Sequence, residues 1–530
     1  MNLRRVAVIG LCATALLVGA VDYASEGKRW WAHIEYLASD AMQGRNTGSP
    51  EHRKAAQYVA GEFERSGLKP AGTSGYLQPM KFQARQIVED RSSLALVRDG
   101  KAEPLVLGTD AVFNLRSDAA KDVEAPAVFV GYGLHIPDAN HDDLAGLDLK
   151  GKIVVFLSGG PKGIAGPLLA HSQSGERWKA LRSAGVIGTA TIQNPKAMDV
   201  PWARSSLARL NPSMNLAEAA LQETQGQQFA IAVNPEHAEK LFAGSGHTFA
   251  ELLAAANRGE KLPAFPLAAG FRAHVELKRW ELESQNVAGI LPGSDAALKN
   301  EYVVLTAHLD HVGVGQPING DAIYNGAMDD ASGIASILEI AHMLHAAKTP
   351  LKRSMLFVAV TGEEKGLQGS KYFAAHPTVK TAAIVADINL DMFLPLHPLH
   401  YLEVQGLDES TLGDQIRIVA TAAGLEIQGD KEPQRNLFIR SDQYSFIRHG
   451  IPALAFKFGY LPGSPEEKLH KEWLKNRYHA PSDDLNQPVD KDAAAQFNRV
   501  ILELAERVAN DPARPQWKPA SFFRRFAGQN

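Results

Sequence analysis

The chain has 530 residues, of which 45% are hydrophobic and 22% charged, a composition typical of globular domains rather than of a disordered chain. At about 150 residues per domain, this length predicts about three domains. Its 55 basic and 59 acidic residues give a net charge of −4, without the basic excess expected of a nucleic-acid binder. The single cysteine, Cys12, excludes an intramolecular disulfide and a zinc site built on several cysteines. A metal site must therefore use His, Asp and Glu.

The first 20 residues have the pattern of a secretory signal peptide. Arg4 and Arg5 precede an apolar run over 6–21, in which small residues lie at 18–20. Cleavage is expected after residue 20, or as late as residue 24. An uncleaved anchor is less favoured, because the run is shorter than the about 20 apolar residues that span a bilayer. We therefore expect a secreted or periplasmic protein without stable membrane insertion after cleavage.

The remaining chain divides into three blocks. Residues 28–70 predict two helices, the second over 51–66, with a turn-forming loop at 44–50 between them. From 81 to 120 the pattern changes to short alternating segments interrupted by Gly and Asp. A second block over 122–270 predicts a helix around 177–183 and short apolar strands at 127–130, 153–157 and 186–190.

In the third block, from 272 onward, strands alternate with helices. The predicted strands are 302–306, 355–360, 383–390 and 452–456, and the predicted helices are 331–347, a segment after Gly366, and 490–509. This alternation predicts an α/β fold with a mostly parallel sheet and helices on its faces.

Residue types that bind metals occur at the carboxyl ends of three predicted strands. They are His308, Glu363 with Glu364, and Asp391. Open α/β sheets carry their functional sites at that edge. Two similar motifs, His141-Asp142-Asp143 in a polar loop and Glu466-Glu467 in a charged stretch, lack this placement. We therefore expect only the first set to form a site.

Two further segments complete a metal-binding set. Asp329 lies at the start of the helix predicted over 331–347, where an Asp is also a common N-cap. His479 precedes the turn at Ala480-Pro481, and by itself it is typical of a surface histidine. Together with the strand-end residues, the set offers two histidines and several carboxylates, one of which can bridge. Two zinc ions need such a set.

Five motifs in this order resemble those of the co-catalytic dizinc peptidase family that includes bacterial leucyl aminopeptidases and glutamate carboxypeptidase II. They are His308-Leu309-Asp310, Gly326-Ala327-Met328-Asp329, Glu363-Glu364, Asn389-Leu390-Asp391-Met392 and Tyr478-His479. The segment 37–49 is similar to the opening of that family's catalytic domain. The second block, with Val130-Gly131-Tyr132-Gly133, resembles the protease-associated domain inserted in many members.

The resemblance implies the α/β/α sandwich of the zinc peptidases with a smaller inserted domain. The implied units are a signal peptide over 1–20, the peptidase domain over 25–121 and 271–510, the protease-associated insertion over 122–270, and a tail over 511–530. We expect the insertion to narrow access to the site, because it interrupts the chain just ahead of the strands that carry the motifs.

The resemblance also implies a role for each motif residue. One zinc ion would be bound by His308, Asp329 and Asp391, and the other by Asp329, Glu364 and His479, so that Asp329 bridges two zinc ions per chain. Glu363 would act as general base, and Asp310 would hydrogen-bond His308 and fix its tautomer. Asp330 stands where the family usually has Asn, and Asp442 matches a recurrent segment without a defined role.

These roles predict a metallopeptidase that hydrolyses peptide bonds at chain ends, and they favour an aminopeptidase that releases N-terminal residues. Peptides are the expected partners, and no oligomeric state is predicted. A carboxypeptidase of the glutamate carboxypeptidase type remains an alternative, because the motifs do not encode substrate pockets. A glutaminyl cyclase is disfavoured because a one-zinc site does not use the full ligand set. A binding-only protein, like the transferrin receptor ectodomain, is disfavoured because every ligand position is filled.

Overall fold

The computed structural model describes residues 21–198, 200–348 and 350–528. The predicted signal peptide over 1–20 therefore lies outside the described residues. Within these ranges, no helix combines the length and the apolar composition needed to cross a bilayer.

A large mixed sheet forms the centre of the fold. Across the sheet the strands follow in the order Ser213–Leu216, Leu77–Ile87, Leu277–Leu291, Ser354–Val360, Tyr302–His308, Ile384–Asn389, Ala453–Phe458, Tyr401–Gln405 and Glu426–Gln428, and Lys69–Pro70 pairs with Leu277–Leu291. The four central strands, from Ser354–Val360 to Ala453–Phe458, run parallel. Antiparallel pairs flank them on both sides. The predicted α/β class is confirmed, and its parallel part is the centre of this mixed sheet.

Helices cover both faces of the large sheet. One face packs against Tyr23–Leu37, Pro50–Arg65, Ser332–Ala347 and Lys491–Asn510, and the other against Gln368–Ala375 and Gln443–Ile447. Side chains of the strand Tyr302–His308 alternate between the two faces, as the period of a strand requires. Val303 and Leu305 pack in the hydrophobic core under the first group of helices, and Val304 packs in the core on the opposite face. The central strands are therefore buried on both faces, which is typical of parallel strands.

Two of the long helices begin at side-chain caps. The Ser49 hydroxyl accepts a hydrogen bond from the His52 N–H ahead of Pro50, and Asp490 caps the last long helix in the same way. In chain order the helices of the described residues are Tyr23–Leu37, Pro50–Arg65, Gly166–Gln173, Gly175–Ser183, Trp202–Ser205, Glu239–Phe242, Phe249–Arg258, Ser332–Ala347, Gln368–Ala375, Leu412–Ala422, Gln443–Ile447, Pro465–Asn476 and Lys491–Asn510.

A second sheet forms a smaller unit. Its strands follow in the order Lys101–Leu105, Ser93–Arg98, Ala264–His274, Asp122–Val130, Ile153–Leu157, Gly188–Ile192, Phe229–Val233 and Ala111–Phe113. The chain leaves the large sheet after Ile87 and returns at Leu277, and these two residues are paired across adjacent strands. We call residues 88–276 the small-sheet unit. Within it, Ser213–Leu216 returns to pair with the edge of the large sheet.

The small-sheet unit starts earlier than the predicted boundary at 122, because Ser93–Arg98, Lys101–Leu105 and Ala111–Phe113 pair within its sheet. Short alternating strands indicate one buried face but not which sheet they join. The identification of this unit as a protease-associated domain stays a prediction. Short paired segments also form two hairpins, Gly313–Ile318 with Asp321–Tyr324 and His135–Ile136 with His141–Asp142.

Candidate metal centre

The first group of candidate ligands lies at the carboxyl edge of the parallel strands. His308 is the last residue of its strand, and Asp391 follows the strand Ile384–Asn389. The Nε2 atom of His308 lies 3.1 Å from Oδ1 of Asp329 and 3.6 Å from Oδ1 of Asp391. The three ligand atoms are close enough to bind one ion together.

The second group shares Asp329 with the first. The Nε2 atom of His479 lies 3.2 Å from Oδ2 of Asp329 and 3.2 Å from Oε2 of Glu364. Asp329 therefore presents one carboxylate oxygen to His308 and the other to His479. A carboxylate that bridges two ions requires this arrangement. The structure thus brings all five residues predicted as ligands to one place.

A third histidine, His311, is absent from the predicted ligand set. It is fully buried, and its Nδ1 atom lies 2.8 Å from Oε1 of Glu364 and 3.9 Å from Oδ2 of Asp329. His311, Asp329 and Glu364 together could also hold an ion, at the same side of Asp329 as His479. The signal was present in the sequence, since His311 follows the His308-Leu309-Asp310 motif directly, at the same edge of the sheet.

The donor set fits a metal ion. Three carboxylate oxygens, Oδ2 of Asp329, Oε1 of Glu364 and Oδ1 of Asp391, are buried close to histidine nitrogens. None of these oxygens accepts a hydrogen bond of suitable geometry from the described residues. Buried polar atoms nearly always have partners, and a cation among these oxygens would supply one. Histidine nitrogens and carboxylate oxygens are the zinc ligands that a chain without usable cysteines can offer.

Hydrogen bonds hold the loop of Asp329 in place. The Asp483 carboxylate accepts bonds from the main-chain N–H groups of Met328 and Asp329, at 2.9 and 3.0 Å. The guanidinium of Arg45 is fully buried and donates to four main-chain carbonyls, those of Leu37, Leu309, Asn325 and Gly326. Arg45 and Asp483 therefore fix the loop that presents Asp329.

Asp330 has a structural function in this loop. One of its carboxylate oxygens accepts a bond from the His308 N–H at 3.1 Å, and the other accepts from the Gly333 N–H at 2.9 Å. An Asn would place an amide N–H₂ against one of these donors. The geometry therefore explains an Asp at this position, because both oxygens are needed as acceptors.

Asp310 contacts His308 with its main-chain carbonyl oxygen and not with its carboxylate. The Nδ1 atom of His308 lies 3.0 Å from the main-chain carbonyl oxygen of Asp310, so the Nδ1–H donates there and Nε2 faces the other ligands. The Asp310 carboxylate instead accepts from the Thr47 hydroxyl at 2.8 Å and from the Glu363 N–H at 3.1 Å. Asp310 thus orients His308 with its carbonyl and Glu363 with its carboxylate.

The adjacent acids Glu363 and Glu364 have different surroundings. The carboxylate of Glu363 makes no hydrogen bond or ion pair with the described residues and lines a cavity beside Asp391. Burial raises the pKa of Glu363 well above its ordinary value, and Glu364 and Asp391 add to this against the charge of His308. Burial acts on Glu364 as well, but His479 and His311 outweigh it and hold the pKa of Glu364 well below its ordinary range.

The remaining motif residues lie elsewhere or behind the site. His141 pairs with Asp143 at 2.9 Å inside the small-sheet unit, and Glu467 pairs with Lys471 on the helix Pro465–Asn476. Asp442 is buried near Asp391, and burial raises its pKa to about 7.

Two cavities meet at the candidate ligands. A small one of about 110 Å³ extends from Asp329, Glu363 and Asp391 past Met392. A larger cleft of about 600 Å³ lies on the side of Glu363 and Glu364, between the large sheet and the small-sheet unit. Since Glu363 and His479 line both, a ligand that crosses the metal centre can occupy the two cavities at once.

Residues 286–505, which include every predicted ligand, match the model of peptidase family M28. A probable zinc metalloprotease of Pyrenophora teres f. teres is 28% identical over 43% of this chain and 49% of its own length. Aminopeptidase YwaD of Bacillus subtilis is 26% identical over 44% of this chain and 46% of its own length. The chain therefore spans about half the length of the curated relatives it matches.

A solved structure extends the similarity beyond this segment. An aminopeptidase from Aneurinibacillus sp. strain AM-1 superposes with a TM-score of 0.56 at 21% identity, covering 93% of this chain and 96% of that chain. At this identity the match concerns the fold. The family resemblance of the sequence motifs is confirmed by the family model over the segment that carries them. The match to peptidase family M28 thus covers residues 286–505, the segment that carries the candidate metal centre.

Proposed function

We propose that the protein is a zinc-dependent aminopeptidase, which uses two metal ions to hydrolyse the first peptide bond of a peptide. The observation that carries this proposal is the position of Asp329, whose two carboxylate oxygens face His308 and His479 at 3.1 and 3.2 Å. His308, Asp329 and Asp391 would hold one zinc ion, and Asp329, Glu364 and His479 would hold the other. The second group has His311 as an additional donor beside Glu364.

Bound zinc lowers the pKa of a coordinated water from about 15.7 to about 7 and polarises a carbonyl group. Glu363 has no protein partner for its carboxylate among the described residues, and it is held through its N–H by Asp310 at 3.1 Å. Because its carboxylate faces the cavity beside Asp391, Glu363 is placed to act as a general base. In this mechanism Glu363 takes the proton of the attacking water and delivers it to the leaving amine.

The names of related proteins support action at the N-terminus. YwaD and the Aneurinibacillus protein are both called aminopeptidases. The small cavity beside Asp391 and Met392, with its volume of about 110 Å³, suits the side chain of a single residue. The larger cleft then takes the rest of the peptide, on the leaving-group side.

A panel of peptides tests the direction of cleavage. The panel combines free or acetylated N-termini with free or amidated C-termini, and mass spectrometry identifies the released residue. We expect release of the N-terminal residue from peptides with a free amine and none from acetylated ones. Release of C-terminal residues regardless of acetylation would contradict the proposal and favour a carboxypeptidase.

We also propose that the protein is exported, on the evidence of the basic and apolar pattern over 1–20. Fractionation of the producing cells and N-terminal sequencing of the recovered protein test this. The expected result is a mature protein outside the cytoplasm that begins after residue 20 or as late as after residue 24. An uncleaved protein in the cytoplasm would contradict it.

A further inference from the structure

The cleft between the two units contains an arginine that forms no ion pair with the described residues. Arg177 lies on the helix Gly175–Ser183 of the small-sheet unit and lines the same cleft as Glu363, Glu364 and His479. Its guanidinium stacks on the ring of Phe156, with Cζ 4.4 Å from the ring centroid. Phe156 belongs to the strand Ile153–Leu157, so a rigid element supports the guanidinium from below.

No side chain of the described residues neutralises this arginine. Arg177 makes no ion pair within 4.0 Å, and its Nε atom is buried without a hydrogen bond. Asp143 exerts only a longer-range attraction, since its carboxylate binds His141 and the N–H groups of Tyr132 and Leu134. Burial lowers the pKa of Arg177 to about 10, so the group is cationic at neutral pH. Arg177 is half-buried in the wall of the cleft, and a partly desolvated cation is stabilised by a charge partner, which an anion entering the cleft would provide.

The surrounding charges also favour an anion. Arg116 also lines the cleft, and it donates to the main-chain carbonyl of Glu364 at 3.4 Å. No carboxylate in the described part of the chain pairs with it within 4.0 Å. The acid Glu223, which lines the cleft as well, is already bound by Lys371 at 2.5 Å and by Arg448 at 2.8 Å. The acids Glu363 and Glu364 lie at the metal end of the cleft. The part of the cleft away from the metals is therefore positively charged.

We propose that Arg177 binds a carboxylate of the peptide substrate on the leaving-group side of the scissile bond, and that the enzyme consequently prefers short peptides with a free C-terminus or an acidic residue close behind the first. This inference rests on the proposed function and names its substrate class. Arginine matches a carboxylate with two parallel hydrogen bonds. A cleft of about 600 Å³ holds a ligand of a few residues, since pockets of about 300–1,000 Å³ take ligands of that order.

The test compares three peptides and one non-peptide substrate. The peptides are Leu-Gly-Gly, its C-terminal amide, and Leu-Gly-Glu amide, and the fourth substrate is leucine p-nitroanilide. In the wild type, kcat/KM should be about tenfold higher for Leu-Gly-Gly and for Leu-Gly-Glu amide than for Leu-Gly-Gly amide, because each of the first two can form a charge-assisted hydrogen bond. The two carboxylate peptides distinguish an α-carboxylate from an acidic side chain as the group bound.

Arg177→Gln should reduce this preference to about twofold or less, mainly through KM. Its zinc content and its kinetics on leucine p-nitroanilide should match the wild type. Arg182→Gln is the matched control, because Arg182 is an exposed arginine on the same helix that does not line the cleft. It should keep the full preference.

Binding is measured separately from turnover. Calorimetry on a Glu363→Gln protein compares Leu-Gly-Gly with its amide, in the presence and absence of Arg177→Gln. Tighter binding of the free acid that disappears with Arg177→Gln supports the inference. If the wild type nevertheless hydrolyses none of the peptides, only the aminopeptidase proposal is overturned. The inference is overturned if the wild type shows no difference in kcat/KM and in binding between the free acid and the amide. It is also overturned if the preference for the carboxylate persists in Arg177→Gln.

Discussion

Glu363 and Glu364 are neighbours in the chain, yet the turn after the strand Ser354–Val360 directs their carboxylates to different surroundings. Glu364 faces His479 at 3.2 Å and His311 at 2.8 Å, whereas Glu363 faces the cavity. Glu363→Gln should keep both zinc ions and lower turnover by about 10²–10⁴, because it removes only the proton acceptor. Glu364→Gln should bind one ion far more weakly, and added zinc should restore part of its activity.

Elemental analysis separates the two variants before any rate is measured. The assignment of roles is reversed if Glu363→Gln loses a zinc ion while Glu364→Gln keeps both. If neither change affects turnover, the proposed site is wrong.

A second residue-scale prediction concerns Glu403, a buried acid at the far end of the small cavity. It lies opposite Lys457 across an antiparallel strand pair, and burial raises its pKa to about 7 against the charge of Lys457. The ordinary value is 4.5, so folding favours the protonated form. The wild type therefore loses stability as the pH rises from about 4.5 through 7, by up to about 3 kcal/mol.

Glu403→Gln removes this titration. The melting temperature of the variant relative to the wild type should therefore rise between pH 5 and pH 8, as scanning calorimetry at both pH values can measure. Glu426→Gln, at an exposed position in the adjacent strand Glu426–Gln428, should show no such trend. A constant difference for Glu403→Gln across this pH range would mean that Glu403 has an ordinary pKa.

At the scale of elements, the small-sheet unit supports the loop that carries His479. Arg204, in its short helix Trp202–Ser205, donates to the main-chain carbonyls of Leu474, Lys475 and Tyr478 at 3.4, 2.5 and 3.1 Å. These carbonyls lie at and just beyond the end of the helix Pro465–Asn476, where helices leave carbonyls unpaired. Arg204 therefore connects the two units next to a candidate ligand.

Arg204→Ala should weaken the binding of one zinc ion by about tenfold, within the about 10–100-fold range typical of residues that orient ligands. Competition with a chromophoric chelator measures this affinity. Arg258→Ala serves as the control, since Arg258 is an exposed arginine of the same unit that pairs with Glu260. Wild-type zinc affinity in Arg204→Ala would show that the His479 loop holds its position without this contact.

The strand pairing of the small-sheet unit determines where this unit can be removed to test whether it narrows access to the site. Excision of 125–268 would remove the strand Phe229–Val233 and so leave Ala111–Phe113 without its partner. The strand Ser93–Arg98 would keep its pairing with residues 270–274. Joining Ile87 to Leu277 by a short turn follows the existing strand pairing instead. If the unit narrows access, this shortened protein should cleave long peptides better relative to short ones.

At the scale of the whole molecule, the candidate ligands come from positions that are far apart in the chain, from His308 to His479. Two ions bound among them would cross-link the carboxyl edge of the large sheet and neutralise buried carboxylates. Dialysis against zinc should therefore give about two ions per chain, and a chelator should abolish hydrolysis and lower the melting temperature. Ligand at a thousand times its dissociation constant stabilises a fold by about 4 kcal/mol.

Re-addition of zinc should restore both activity and melting temperature, which separates metal loss from irreversible unfolding. A protein that saturates with one ion and is fully active would contradict the two-metal proposal. Unchanged melting after complete metal removal would show that the site does not contribute to the stability of the fold.

The sequence by itself determined the α/β class, the central strands and the residues that meet at their ends. The strand predicted at 302–306 is observed as Tyr302–His308, and the helix predicted over 331–347 as Ser332–Ala347. Local periodicity reports whether a segment is buried and with which repeat. Because the carboxyl ends of neighbouring parallel strands share one edge, such a pattern also indicates which side chains come together.

Only the tertiary structure decided how these residues are used. It places His311 against Glu364, and it shows that His308 is contacted by the carbonyl of Asp310. It also assigns the strands from Ser93 to Phe113 to the second sheet. It also brings Arg177 of the small-sheet unit into the cleft beside the candidate metal centre and Arg204 against the loop of His479. The physical reason is that these contacts join segments far apart in the chain or depend on which atom faces a neighbour, whereas periodicity carries information about burial and none about the partner.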